Sequence, residues 1–449
     1  MDLTHHHHHH RLASINWFQD LPRIGTLALV YTLAGADCID LSASEAVVTA
    51  AAEVGVYVCH LSINVDFSLN NRPTHIHLPP QGVEWAMQLA AGLGRPLPRR
   101  PWLMVSVNDQ EDLHFRKASF DATHCPADCP RPCEIICPTR AIPPAAALGG
   151  LRNKDEEEVS GRVEGVAEQG RCYGCGRCLA VCPLGLIEAR PYEVDAAAVL
   201  SSLAGRVDAL EIHTNASSFS HRDRPEDDPF HGLCARLRGP PSDALKLVAV
   251  SFPFLGEDET TAFLRHRRQL LSGLGAPVGP PGRAARLRVW QTDGRPMSGD
   301  IGKGATLSCV RFGAEVLRAQ ALPFFRLRGG AGAEAEAEEH HFLQLAGGTN
   351  AYTAEKLEAE GLLSPWGLEQ QGGGAAAASW VHGLAFGGFA RKEVDRVMEN
   401  HRLGLEDNIR DYPEVCYVVG VKIVIKLTPA LISFLTLTHR PWQTWSRRL

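Results

Sequence analysis

The sequence predicts an α/β protein: a TIM-barrel-like parallel (β/α) domain interrupted by a small cysteine-rich insertion. Three observations predict it. Short apolar strands alternate with helical stretches of about 10 to 18 residues, the pattern of βαβ units. Seven such strands stand outside the cysteine region, close to the eight of a closed barrel. Eight of the 13 cysteines crowd between Cys125 and Cys182, where the alternation stops.

The expected organisation is a His-rich tail over 1–15, the first part of the α/β domain over 16–112, the insertion over 113–190, the remainder of the α/β domain over 191–402, and an apolar tail over 403–449. From Leu21, LPRIGTLALVYTLAG has a helical period and ADCIDL reads as a short buried strand. SASEAVVTAAAEVG reads as an Ala-rich helix, capped by Ser42 or Ser44 and ended by Gly55. A helix around Val83–Ala91 lies between Pro/Gly-rich flanks, and WLMVSVND follows as a strand. After the cysteines, strands VDALEIHT, LKLVAVSF, RLRVWQTD, HFLQLAGG and VHGLAFGG are interleaved with helices such as DETTAFLRHRRQLLSGLG and ATLSCVRFGAEVLRAQ. Low-complexity stretches near 143–158, 329–341 and 370–379 cannot bury enough apolar surface to pack and read as mobile loops.

A chain of 449 residues with 45% apolar content supports two or three domains. The net charge of −6 gives no bias toward nucleic acid or an anionic membrane. The N-terminus lacks the apolar core of a secretory signal, and His5 to His10 is either a tag or a natural tract. Val415 to Thr438 is apolar, but Lys422, Lys426 and Pro429 interrupt it. The charge-free run from Leu427 is 12 residues, against about 20 for a span. The tail is therefore ambiguous between a span and an apolar segment, and no membrane association is expected elsewhere.

The second cysteine motif, RCYGCGRCLAVCPLGLI, places Cys172, Cys175, Cys178 and Cys182 at x2-x2-x3 spacing before Pro183. This is the bacterial ferredoxin run, in which three thiolates hold one 4Fe–4S cluster and the fourth reaches another. Small residues in the gaps let the backbone wrap a cube and aim amides at its sulfurs. Zinc also favours Cys-x2-Cys pairs, but spends two pairs separated by a longer loop. The first motif, HCPADCPRPCEIICP, spaces Cys125, Cys129, Cys133 and Cys137 by three throughout. On one helix these thiols would line up in a row; Pro126, Pro130 and Pro132 forbid that helix and impose a loop. The shared Cys-Pro ending makes the motifs a pseudo-symmetric pair. Cys125, Cys129, Cys133 and Cys182 are therefore assigned to one cluster, and Cys172, Cys175, Cys178 and Cys137 to the other. The looser first loop makes its cluster a candidate for lability or a 3Fe–4S form. Arg131, Arg171 and Arg177 either offset the cluster charge or are solvated. A radical-generating enzyme would need x3-x2 spacing, which the first motif lacks. Cys38, Cys59, Cys234, Cys309 and Cys416 read as small buried hydrophobes.

Polar residues gather where strands end: Asp40, Glu211, His213, Gln291 and Asp293. Ligands of parallel α/β folds bind at the carboxyl ends of strands. Candidate ligand-binding residues are Asp293, Gly299, Gly302, Lys303, Gly304, Gly347, Gly348, Asn350, Gly387 and Gly388. LAGGTN and LAFGGFARK look like paired phosphate-gripping loops, and the Gly-rich segment before ATLSCV enters a helix N-terminus, which suits an anion. It is not the P-loop pattern, and the alternative is that these glycines simply make βα turns.

CPADCPRPCEIICP, RCYGCGRCLAVCPLGLI, WQTDGRPMSGDIG, LQLAGGTN and AFGGFARK, in this order, resemble the cyanobacterial light-dependent period protein (LdpA) family over roughly Leu21 to Asn400. The resemblance implies an iron–sulfur protein that passes redox state to the circadian clock through protein partners, with no established catalysis. Its eight cysteines carry over; its Gly-rich segments carry over without a role. The Ala/Gly/Glu insertions and the tail after about Leu403 depart from it. The expected function is redox sensing or one-electron transfer by two 4Fe–4S clusters, in the cytoplasm or, in an algal lineage, the chloroplast stroma. The alternative is a flavin-dependent oxidoreductase whose clusters feed a barrel-bound flavin. Redox or signalling proteins are the expected partners, nucleic acid is not.

Overall fold

The structure, a computed structural model, describes residues 21–34, 36–52, 83–92, 100–110, 116–119, 125–126, 128–137, 140–142, 172, 176–191, 195–214, 219, 224, 226–274, 286–293, 303–324, 341–362 and 380–401. In chain order the first elements are α1 (Leu21–Leu33), β1 (Cys38–Ser42), α2 (Glu45–Ala52), α3 (Val83–Gly92), β2 (Trp102–Asn108) and β3 (Arg116–Ser119). The cysteine region contributes α4 (Pro132–Ile136), α5 (Arg177–Val181) and β4 (Glu188–Pro191). Then come α6 (Ala196–Ser202), β5 (Ala209–His213), α7 (Pro229–Arg236), α8 (Pro240–Asp243), β6 (Leu247–Pro253), α9 (Glu257–Ser272) and β7 (Leu287–Asp293). The described chain ends with α10 (Lys303–Arg318), β8 (His341–Ala346), α11 (Ala351–Ala359), β9 (Gly383–Leu384) and α12 (Gly388–Asn400).

The seven strands expected outside the cysteine region form one all-parallel sheet in the order β1-β2-β5-β6-β7-β8-β9. Successive side chains of a strand face opposite ways. Leu103, Val105, Leu210, Ile212, Val248, Val250, Trp290, Leu343 and Leu345 join the helices in the main core. On the other face Met104, Ala209, Leu247, Ala249, Leu287 and Val289 form a second apolar layer. Both faces are covered, which is why these strands read as continuous apolar runs. The sheet curls into a half-barrel. Among the described residues β1 and β9 do not pair, and the two ends meet instead through helices, α12 packing against α1. An eighth strand and a closed barrel are not present among the described residues.

Local chemistry sets the helix starts. Asp195 caps α6 by accepting from the amides of Ala197 and Ala198. Asp228 caps α7, whose first residue is Pro229, and Asn350 and Thr353 form a capping box on α11. Ser44, expected to cap α2, does not: its carbonyl accepts the first helical bond from Val48, but its hydroxyl is buried without a hydrogen bond. His341, the first residue of the expected strand HFLQLAGG and the last of the stretch near 329–341, opens β8; it is fully buried and its Nδ1 accepts from Trp290 Nε1 at 2.9 Å. The expected loops near 143–158 and 370–379, Gly55, the tract at 5–10 and the apolar tail lie outside the described residues. No helix among the described residues is long and apolar enough to cross a membrane.

Candidate metal centre

The two cysteine motifs fold alike from their third cysteine onward. Each has a five-residue helix, α4 or α5, entered through a left-handed residue: Arg131 at φ 54° in the first half, Gly176 at φ 68° in the second. Glu134 donates its amide to the Arg131 carbonyl as Leu179 does to Gly176. Cys137 and Cys182 follow each helix in matching extended conformations, φ −72° and ψ 111° against φ −69° and ψ 113°. A left-handed residue comes three positions later in both halves, Arg140 and Gly185. The next amide then donates back to the cysteine: Ala141 N to Cys137 Sγ at 3.2 Å, Leu186 N to Cys182 Sγ at 3.4 Å. The antiparallel pair β3–β4 flanks the unit.

Pro132 was expected to enforce a loop; it opens α4 instead. Proline is tolerated at the first helical position, where the missing N–H has no intrahelical partner anyway. The prolines do prevent one continuous helix, and the departure from x2-x2 spacing is confined to the segment before Arg131.

Cys125, Cys129, Cys133 and Cys182 line one solvent-open pocket, together with Pro183, Leu186 and Ile187. Three thiols thus come from the first motif and one from the second. Cys133 and Cys178 are buried, and with Ala118, Ile142 and Ile187 form a small core of their own; Cys137, Cys172 and Cys182 pack against it. Cys175 and Arg171 lie outside the described residues. Burial pushes the Cys133 thiol up, against the pull of the Arg131 charge. Among the described residues no three of His, Cys, Asp and Glu converge closely enough for a single ion. Four sulfur donors lining one pocket are a donor set that fits an iron–sulfur cluster. Amides aimed at Cys129, Cys137 and Cys182 are donors such a cluster requires.

A second constellation lies on the sheet. Ser106 Oγ donates to Asp40 Oδ1 at 2.6 Å and lies 3.4 Å from Glu211 Oε2; Gln291 Nε2 donates to Glu211 Oε1 at 2.8 Å. His213 Nε2 is 3.4 Å from Glu211 Oε1 and its Nδ1 is 3.1 Å from Ser251 Oγ. Burial, with Asp293 adding repulsion, pushes Glu211 up to about 7. Asp40 is also pushed up to about 7, by burial and then by Glu211. Ser106 and Ser251 were not singled out from sequence; their signal was a lone hydroxyl within an otherwise apolar strand.

The Gly-rich segments also converge. Gly348, at φ 102°, sits so close to the first turn of α10 that a Cβ there would meet the Ala305 carbonyl oxygen at 2.9 Å. Thr306 Oγ1 donates to the Gly348 carbonyl, and Thr349 Oγ1 to that of Ala385, before Gly387 and Gly388 at the start of α12. Lys303 Nζ lies 4.8 Å over the Tyr352 ring; Gly304 is exposed beside it. Asn350 is buried and spent on its helix cap. Gly347 takes φ 66° in the same turn. Asp293 ends β7, two strands from Glu211. Gly299 and Gly302 lie outside the described residues. Cys234 and Cys309 are buried as expected; Cys38 is half-buried, while Cys59 and Cys416 lie outside.

A curled parallel sheet joined to a small unit whose thiols line one pocket is the architecture of an α/β protein with a cysteine-lined binding unit. Residues 125–193 match the family model described as the LdpA Fe-S cluster-binding domain, and residues 202–338 and 331–427 match the Light dependent period A C-terminal domain. Light dependent period A of Synechococcus elongatus is 37% identical over 384 residues, covering 85% of this chain and 80% of that protein. The chain belongs to the LdpA family. No solved structure matches it.

Proposed function

We propose that the chain carries two 4Fe–4S clusters on a ferredoxin-type unit, inserted at about 113–190 into the α/β domain, and that it senses redox state or passes single electrons to a protein partner. Cys125, Cys129, Cys133 and Cys182 hold one cluster in this reading, and Cys172, Cys175, Cys178 and Cys137 the other. The observation that carries it is the cavity gathering three thiols of the first motif with the last of the second. Each cluster, when bound, supplies storage for one electron. The chain's own part is to favour the added negative charge. The amides of Arg131, Ala141 and Leu186 donate to thiol sulfurs, and the buried Arg131 guanidinium lies beside Cys125 Sγ. Ile135 and Leu184, 83% and 54% exposed, flank this region and leave apolar surface for an approaching protein. The relative's name ties that protein to a light-dependent period; a clock or other signalling protein is the partner proposed here.

Iron and acid-labile sulfide analysis with EPR on anaerobically purified protein tests this. About eight irons per chain are expected, and fewer than about six rules out two intact clusters. On exposure to air the first cluster is expected to lose iron before the second.

The convergence of the Gly348, Thr349 and Gly387 loops on the N-terminus of α10 favours a second reading, a phosphorylated ligand or flavin phosphate held near Lys303. A flavin absorbance band that survives cluster removal supports it; no flavin and no binding of inorganic phosphate exclude it.

A further inference from the structure

The two halves of the cysteine unit differ at one matching position, where Gly176 in the second half is replaced by Arg131 in the first. A non-glycine residue at φ 54° is strained, and nothing in the backbone demands a long side chain there. What the arginine adds is a charge in a particular place. It is only 7% exposed, its Nη1 lies 3.7 Å from Cys125 Sγ, and its amide donates to Cys129 Sγ at 3.4 Å. Its Nε is held by Glu134 Oε2 at 2.9 Å, a carboxylate that remains about one-third exposed. A buried guanidinium against the Cys125 thiol acts at low local dielectric, while the more solvated carboxylate is better screened.

We infer that Arg131 and Glu134 form a charge pair that sets the reduction potential of the first cluster separately from the second, Arg131 raising it and Glu134 lowering it. Reduction adds one negative charge, which the guanidinium stabilises and the carboxylate opposes. Arg131 is a positioning residue and not a cluster ligand. The inference rests on the two-cluster reading above.

The test is an EPR-monitored redox titration of the full chain and of Arg131→Gln and Glu134→Gln. Gln at 131 keeps the left-handed strain and the amide while removing the charge. Cys125→Ser marks which signal belongs to the first cluster. The expected result is a downward shift of that signal in Arg131→Gln, an upward shift in Glu134→Gln, and no movement of the other signal. Shifts in the same direction in both variants, equal movement of both signals, or no movement overturn the assignment. If Arg131→Gln loses the first cluster, Glu134→Gln alone decides: an upward shift confined to that cluster sustains the inference, and its absence ends it. An unsubstituted chain with fewer than about six irons overturns the two-cluster reading itself, a failure read before any variant is made.

Discussion

Glu211 is a carboxylate at 2% exposure, held by neutral donors from Ser106, Ser251 and Gln291 with Asp293 repelling it. Its folded value of about 7 lies above the ordinary glutamate range, so the folded state binds its proton more tightly than the unfolded chain. That contribution to stability is complete below about pH 4 and is lost as pH rises to about 7. Glu211→Gln is expected to flatten the urea-unfolding profile across this window and to raise stability at pH 8 by on the order of 3 kcal/mol. An unchanged profile would show that other groups govern it. Gly348 combines φ 102° with a close approach to Ala305. Gly348→Ala is expected to cost about 1–3 kcal/mol, read as a lowered Tm. That these residues matter was legible, since Glu211 and Gly348 both end strands in the sequence. Their company was not, because Ser106 and Glu211 are brought together only by neighbouring β2 and β5.

Elements carry the next scale. Asp228 performs two tasks for α7 and α9: it caps the first and forms an ion pair with Arg267 of the second, both side chains being within 1% of full burial. The guanidinium is also enclosed by Phe219, Phe230 and Phe263. Asp228→Ala is expected to cost about 3–5 kcal/mol in chemical denaturation, because it removes the carboxylate held against a buried guanidinium as well as the helix cap. A loss under about 1 kcal/mol would show that solvent reaches the site. The matching left-handed entries of α4 and α5 were hidden in the sequence by unequal spacing. Period-based reasoning sees helices of several turns, and a five-residue helix between cysteines offers too few positions to show a period. The antiparallel β3–β4 pair was missed for the same reason, each strand having four residues with mixed polarity.

At the scale of the whole molecule, two bodies of unequal means share one chain. The curled sheet has an extensive core, whereas among the described residues the buried core of the cysteine unit is Ala118, Cys133, Ile142, Cys178 and Ile187, two of them proposed ligands. So small a core is expected to depend on its clusters for folding. Anaerobic removal of iron with a chelator should abolish hydrogen-exchange protection in β3 and β4 while leaving β5, β6 and β7 protected. Loss of protection in both, or in neither, would contradict this division of stability. Substitution of Cys182 by Ser is expected to lower the iron content to about four per chain, since it supplies the fourth thiol of one cavity only.

The seven strands of the large sheet and the paired cysteine motifs were determined by the sequence alone, because each is written in local composition: apolar runs, turn residues, and thiols at short spacing. How the curl ends was decided only by tertiary structure. β9 extends over Gly383–Leu384, and the ends of the sheet are joined by α1 on α12 instead of by a described strand ladder. The position of Arg131 belongs to the same class. The sequence places it beside cysteines, but whether it is solvated or set against Cys125 Sγ depends on a left-handed turn and a salt bridge to Glu134, contacts that exist only once the loop has folded. Local pattern specifies which groups are present; distances between groups far apart in the chain set their charge states, and those distances are a property of the fold.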